Sequence, residues 1–119
     1  MIDQQSTETA HNFFMEVNKM RKIFDAFFNE HQLSMYDLEL LLIIYEAGNI
    51  QLKNLIQNDT IKINQVNKSI KKLHNLKLIM KRREPKDERT VNLCINQENK
   101  EEVISLLQHF SDMIKEIYT

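Results

Sequence analysis

Lys81-Arg82-Arg83-Glu84-Pro85-Lys86-Asp87-Glu88-Arg89-Thr90-Val91 is the stretch whose reading decides the fold. It reads as a strand that climbs into a turn at the chain's only proline and returns as a second strand, with cations on both limbs. Leu78 to Arg83 and Thr90 to Ile95 are the predicted strands. In the second, Val91, Leu93 and Ile95 share one face, and Thr90, Asn92 and Cys94 the other, as the two-residue period of a strand requires.

Immediately upstream, Ile63 to Leu76 has the three- and four-residue spacing of a helix that buries Val66, Ile70 and Leu73. At 100° per residue Asn64, Lys68, Lys71, Lys72 and Asn75 project from the opposite side, with Gln65 and Asn67 at its margins. A shorter helix, about Leu52 to Asn58, turns its Leu52, Leu55 and Ile56 inward, and Asn58-Asp59-Thr60 is polar turn material between the two. A short helix, a turn and a polar-faced helix make a helix-turn-helix over residues 52–76. The hairpin over residues 78–95 is its wing.

Net charge is −1, which by itself speaks against a polyanionic partner. Its distribution reverses that reading. Residues 62–89 hold ten Lys or Arg against Glu84, Asp87 and Glu88, a local charge of +7, while the remainder holds six cations and fourteen acids. Phosphate contacts are local, so only one patch has to be cationic.

The flanking segments are helical. Ser6 and Thr7 are candidate caps for a first helix, residues 7–30, whose apolar positions include Phe13, Phe14, Val17, Met20, Phe24 and Phe27. That stripe is wider than one small core covers, and its outer edge suggests a partner subunit. Ser34 and Asp37 form a capping-box pattern for Met35 to Ala47. That helix is apolar almost all round and so belongs at the centre; Gly48 is its expected left-handed C-cap. Asn49 to Leu52 is a possible short strand. Asn96 is placed to cap a last helix, residues 97–118, with Val103, Phe110, Ile114 and Ile117 on its apolar stripe. The expected class is mainly α with a small β wing: one winged helix-turn-helix domain over residues 1–119, in the order α-α-(β)-α-α-β-β-α.

Composition excludes several functions. With 119 residues, one Gly and one Pro, the chain has room for a single core and no Gly-rich phosphate cradle. Cys94 has no intramolecular disulfide partner, and the four His residues lie at no metal-ligand spacing. No nucleophile–base pair or carboxylate dyad suggests an enzyme. Neither a cofactor nor a metal is expected. Residues 1–30 lack a signal-peptide layout and the longest apolar run is too short to span a bilayer, so a cytoplasmic protein without membrane contact is expected. Cys94 reads as inert packing, and His74 and His109 as polar surface residues.

The order of elements, with long helices at both ends, resembles the MarR-type winged-helix regulators. Asp87-Glu88-Arg89-Thr90-Val91, with Arg83 six positions before Arg89, narrows the resemblance to the staphylococcal accessory regulator (Sar) family. Leu33-Ser34-Met35 and Gln65-Val66-Asn67-Lys68 extend it over nearly the whole chain. Members of that family are small homodimers that activate or repress virulence genes. The resemblance implies that the 63–76 helix enters the major groove of promoter DNA while the wing reaches the flanking minor groove. The residues themselves suit those tasks. Lys62, Lys68, Lys71, Lys72, Lys81, Arg82 and Lys86 can neutralise phosphates. The amides of Asn64, Gln65 and Asn67 can read adenine edges, although Asn64 and Gln65 read equally well as first-turn helix residues. Arg83 and Arg89 suit the narrow minor groove of A·T-rich DNA. Asp87 and Glu88 are expected either to hold the arginines through bidentate pairs or to form a solvated turn.

A homodimer joined through Phe13, Phe14, Val17, Met20, Phe24, Phe110, Ile114 and Ile117 would prefer a pseudo-palindromic site. The Phe-rich helix then reads as core and dimer seam, and no small-molecule ligand is implied. Relatives that sense oxidants carry a cysteine early in the first helix, where this chain has Ala10-His11-Asn12-Phe13. The competing reading is a protein-interaction module that pairs with another regulator through the same helix and binds DNA poorly by itself.

Overall fold

A computed structural model describes residues 1–57 and 63–118. Lys62 and the Asn58-Asp59-Thr60 turn lie outside the described residues, as do the side chains of Gln57, Ile63 and Glu88. The elements are α1 (Gln4–His31), α2 (Met35–Ala47), β1 (Asn49–Gln51), α3 (Leu52–Gln57), α4 (Ile63–Asn75), β2 (Ile79–Glu84), β3 (Asp87–Ile95), a 3-10 turn (Gln97–Asn99) and α5 (Lys100–Tyr118). No described helix is long and apolar enough to cross a membrane.

Helix α1 begins earlier than a cap at Ser6 or Thr7 allows. Asp3 is the N-cap, and its carboxylate accepts the Ser6 backbone N–H at 2.7 Å. That bond holds the Asp3 carboxyl below its ordinary pKa. The outer face of the first half of α1 stays exposed. Its second half turns Ile23 and Phe27 into the core, at 3% and 0% exposure.

The capping box of α2 is present in full. Ser34 Oγ accepts the Asp37 N–H at 3.2 Å, and the Asp37 carboxylate accepts the Ser34 N–H at 2.9 Å. Asp37 is buried, yet its charge is used. Ser34→Ala is therefore expected to cost about 1 kcal/mol, measurable as a lower urea midpoint with an unchanged slope; an unshifted midpoint would show the box to be dispensable. Helix α2 is the centre of the domain, with Leu38, Leu40, Leu41 and Ile44 buried. Leu42 departs from the all-round burial expected of it and faces a surface groove. Gly48 ends the helix at φ 76°, ψ −53°, a positive φ but not the left-handed helical well, because the chain must turn directly into β1.

The three strands form one antiparallel sheet in the order β1-β3-β2. The central strand β3 begins at Asp87, three residues earlier than the alternation suggests, because Asp87 pairs with Glu84 across the Pro85-Lys86 turn. Leu93 and Ile95 are buried on the core face. The opposite face is partly covered too: Asn92 is buried and its side-chain amide donates to the Glu84 carboxylate.

Helix α4 ends in a Schellman motif at Lys77 (φ 62°), where Leu78 N–H donates to Leu73 C=O and Lys77 N–H to His74 C=O, each at 3.0 Å. The Asn96 and Asn99 side chains donate to the Lys77 carbonyl at 3.0 and 2.7 Å. Asn96 thus caps the 3-10 turn that leads into α5, and the same residue ties the end of the polar-faced helix to the last helix. Val103 and Leu106 of α5 close the core, with Leu107, Phe110 and Met113 packed on its margin.

Candidate nucleic-acid interface

Helix α4 is anchored by Val66, Ile70 and Leu73, all buried, and Ser69 is buried beside them. With that side fixed, helical geometry leaves Asn64, Asn67, Lys68, Lys71 and Asn75 exposed. Gln65 is half-buried at the margin, as its helical angle requires. Lys72 differs from the outward position expected of it. It is half-buried, and its Nζ lies 5.4 Å from the centroid of the Phe28 ring of α1. A cation over an aromatic face is held there by the ring quadrupole, so Lys72 braces α4 against α1 at the edge of the polar face.

In the wing, Lys81, Arg82, Arg83, Lys86, Asp87 and Arg89 are all exposed. Register divides them. Lys81 and Arg83 stand opposite Leu93 and Val91, whereas Arg82 stands opposite Asn92, so adjacent cations of β2 point to opposite sides of the hairpin. Strand β2 is also an edge of the sheet, where Lys and Arg discourage pairing with another chain's edge. Among the described residues, none of Lys68, Lys71, Lys81, Arg82, Lys86 and Arg89 is paired with a carboxylate within 4 Å.

The acids of this segment are turned inward. Between Arg83↔Val91 and Glu84↔Asp87 the register shifts, so β3 carries three more residues than β2 over one step and bulges at Glu88-Arg89-Thr90. Asp87 supports the bulge: one carboxylate oxygen accepts the Arg89 backbone N–H and the other the Thr90 hydroxyl, both at 3.0 Å. The expected bidentate pairing of Asp87 with a guanidinium is replaced by this local bracket. The bulge re-aims Arg89, which lines a small cleft with Lys53 and Ile56 of α3 and Val91 of β3.

The seam residues divide as their spacing suggests. Phe13 and Phe14 are 63% and 61% exposed and lie edge to face, 5.8 Å apart, while Met20 is 48% exposed. Phe24 and Phe110 stack at 5.8 Å on the core margin, and Val17, Ile114 and Ile117 are half-buried. Phe24, Phe110 and Ile114 also line an apolar groove of about 700 Å³ between α1, α2 and α5. Sequence reasoning did not identify this groove, because Met35 and Leu42 of its wall were assigned to a buried helix.

It also missed a cluster of Glu30, His31 and His109, because 79 residues separate Glu30 from His109. His109 is half-buried and bonded to Glu30 at 3.3 Å, rather than a free surface residue. Cys94 is half-buried on β3, beside Asn49 and opposite Met80.

A short helix α3, a polar-faced helix α4 fixed on a core and a charged hairpin behind it define a winged helix-turn-helix. The fold is that of AbsC, a MarR family transcriptional regulator from Streptomyces coelicolor (TM-score 0.73, 15% identity, 99% of this chain and 82% of that one). It is equally that of MarR from E. coli (TM-score 0.72, 14% identity, 98% and 83%). Residues 22–106 match the family described as transcriptional regulator SarA/Rot, and the chain belongs to that family. It is a transcription regulator of SarA/Rot and MarR type, not an enzyme. Among curated relatives it is similar to the HTH-type transcriptional regulator rot of Staphylococcus aureus, 28% identical over 95 residues. Those residues are 80% of this chain and 57% of the relative, so the chain spans little more than half the length of the curated relatives it matches.

Proposed function

We propose that the chain is a cytoplasmic, homodimeric regulator of virulence-associated genes that binds A·T-rich, pseudo-palindromic promoter DNA. Helix α4 occupies the major groove and the wing lies along the adjoining minor groove. The observation that carries this reading is the pairing of a rigidly anchored α4, with Asn64, Asn67, Lys68 and Lys71 outward, with an exposed cationic hairpin in a family of transcription regulators. Lys68 and Lys71 neutralise phosphates, and the Asn64 and Asn67 amides face base edges. Lys81, Arg82 and Lys86 hold the wing to the backbone from two sides. Arg83 and Arg89 are its minor-groove residues, Arg89 being aimed by the Asp87 bracket.

Two copies supply the two-fold symmetry. The exposed Phe13, Phe14 and Met20, continuous with the groove at Phe24, Phe110 and Ile114, form the seam on which the partner's terminal helices seat. Recognition helices in such a dimer address half-sites roughly 34 Å apart. The exposed Phe pair also suits a second reading, a module that pairs with a different regulator and has little affinity for DNA. Light scattering after size exclusion separates the two: a homodimer is expected, and a stable monomer without DNA affinity would favour the second reading.

The wing assignment is tested by Arg83→Ala and Arg89→Ala in mobility shifts across a salt series. Each is expected to weaken binding and, for one lost phosphate contact, to flatten the log–log salt slope by roughly one. Variants that bind like the parent would remove the wing from the interface.

A further inference from the structure

We propose that Glu30, His31 and His109 form a binding site for a divalent transition-metal ion of the zinc class, clamping the end of α1 to α5. The three side chains offer two imidazole nitrogens and a carboxylate, and their ligand atoms all lie within 4.8 Å of one another. Glu30 Oε2 is 3.3 Å from His109 Nε2, and Glu30 Oε1 is 3.7 Å from His31 Nε2. A tetrahedral ion with bonds of about 2.0–2.1 Å holds its ligand atoms roughly 3.3 Å apart. Two edges of the required triangle therefore already stand near their final length, and small side-chain rotations complete the third.

His31 Nε2 supplies an independent sign. It is buried and has no hydrogen-bond partner among the described residues. A buried polar atom left without a partner is costly, and a lone pair donated to a metal satisfies it. The rings are also held in place. Phe27, fully buried, lies 4.6 Å from the His31 ring and 5.6 Å from the His109 ring. Ligands fixed by packing lose little freedom on binding.

The donor set selects the class of ion. Two imidazoles and one carboxylate suit zinc and its first-row neighbours, whereas calcium and magnesium take oxygen ligands. Three protein ligands leave a fourth position for water or for another donor. Glu30 and His31 are adjacent on the last turn of α1, and His109 lies in the middle of α5. An ion held by all three would cross-link the two terminal helices.

Titration of the full chain with Zn²⁺ by calorimetry, followed by Co²⁺ spectroscopy, tests the site. One ion per chain is expected, with Co²⁺ giving the visible bands of a four-coordinate, nitrogen- and oxygen-ligated centre. His31→Gln and His109→Gln should each weaken affinity at least tenfold, and Glu30→Gln, at a half-exposed position, should do so without disturbing the fold. A variant lacking the other two histidines, His11→Asn with His74→Asn, should bind as the parent does. Absence of Zn²⁺ binding by the parent overturns the proposal. So does binding that survives in all three ligand variants, or that disappears with His11 and His74. Circular dichroism of each variant separates loss of the site from loss of the fold.

Discussion

Phe27→Ala is expected to destabilise the protein by roughly 3–5 kcal/mol, the range for emptying a buried aromatic site. Phe27 is fully buried and is the point at which α1 is fastened to the body. Its ring lies edge-on to Phe110 of α5 at 5.7 Å and contacts His31 and His109. Removing it opens a cavity at a corner where two long helices meet, and neither can collapse inward without leaving α2. Domains of this size are stable by only about 5–15 kcal/mol, so the loss is a large share of the total. Chemical denaturation should show a much lower midpoint. A change under about 1 kcal/mol would mean that α1 is not held to the domain through this residue. Phe13→Ala provides the contrast. Phe13 is mostly solvent-exposed within one chain, so its truncation should leave the chain's own fold intact and weaken self-association instead.

The second large effect concerns α4. Replacing Lys68 and Lys71 together by Ala should flatten the log–log salt slope of DNA binding by about two and lower affinity roughly 30-fold near 0.15 M salt. Both side chains lie on the exposed side of a helix whose other side is locked by Val66, Ile70 and Leu73. Their removal therefore deletes charge without disturbing packing, and circular dichroism should be unchanged. Lys72→Ala should behave differently. Its ammonium already rests on Phe28, so part of its loss should appear as reduced stability. If the double variant keeps the parent's slope, α4 does not face the phosphates.

These expectations draw on parts of the chain that were legible to different degrees. The core side of α4 and the capping box at Ser34 and Asp37 were readable because both depend on residues within one or two turns of each other. The hairpin was readable from its proline and flanking alternation. Its bulge was not, because the Asp87 bracket on Arg89 and Thr90 is a choice among several uses of one carboxylate. The Asp3 cap was hidden by two good competitors, Ser6 and Thr7, and Lys77 by the rarity of lysine at positive φ. Lys72 on Phe28 and the meeting of Glu30 with His109 depend on how α1 crosses α4 and α5. Nothing local in the sequence encodes that crossing. Charge segregation was the most informative signal of function. It pointed to a surface, but only the register of β2 showed that the wing's cations are divided between two sides.

The central claim is that α4 and the wing of a dimer grip the DNA backbone, and equilibrium binding to an A·T-rich pseudo-palindromic duplex over a salt series tests it most directly. With six or more phosphate contacts across two copies, the account predicts that log affinity falls with log salt at a slope of about −5 or steeper, with two chains per duplex. Affinity that ignores salt, or no binding at any salt concentration, would contradict it.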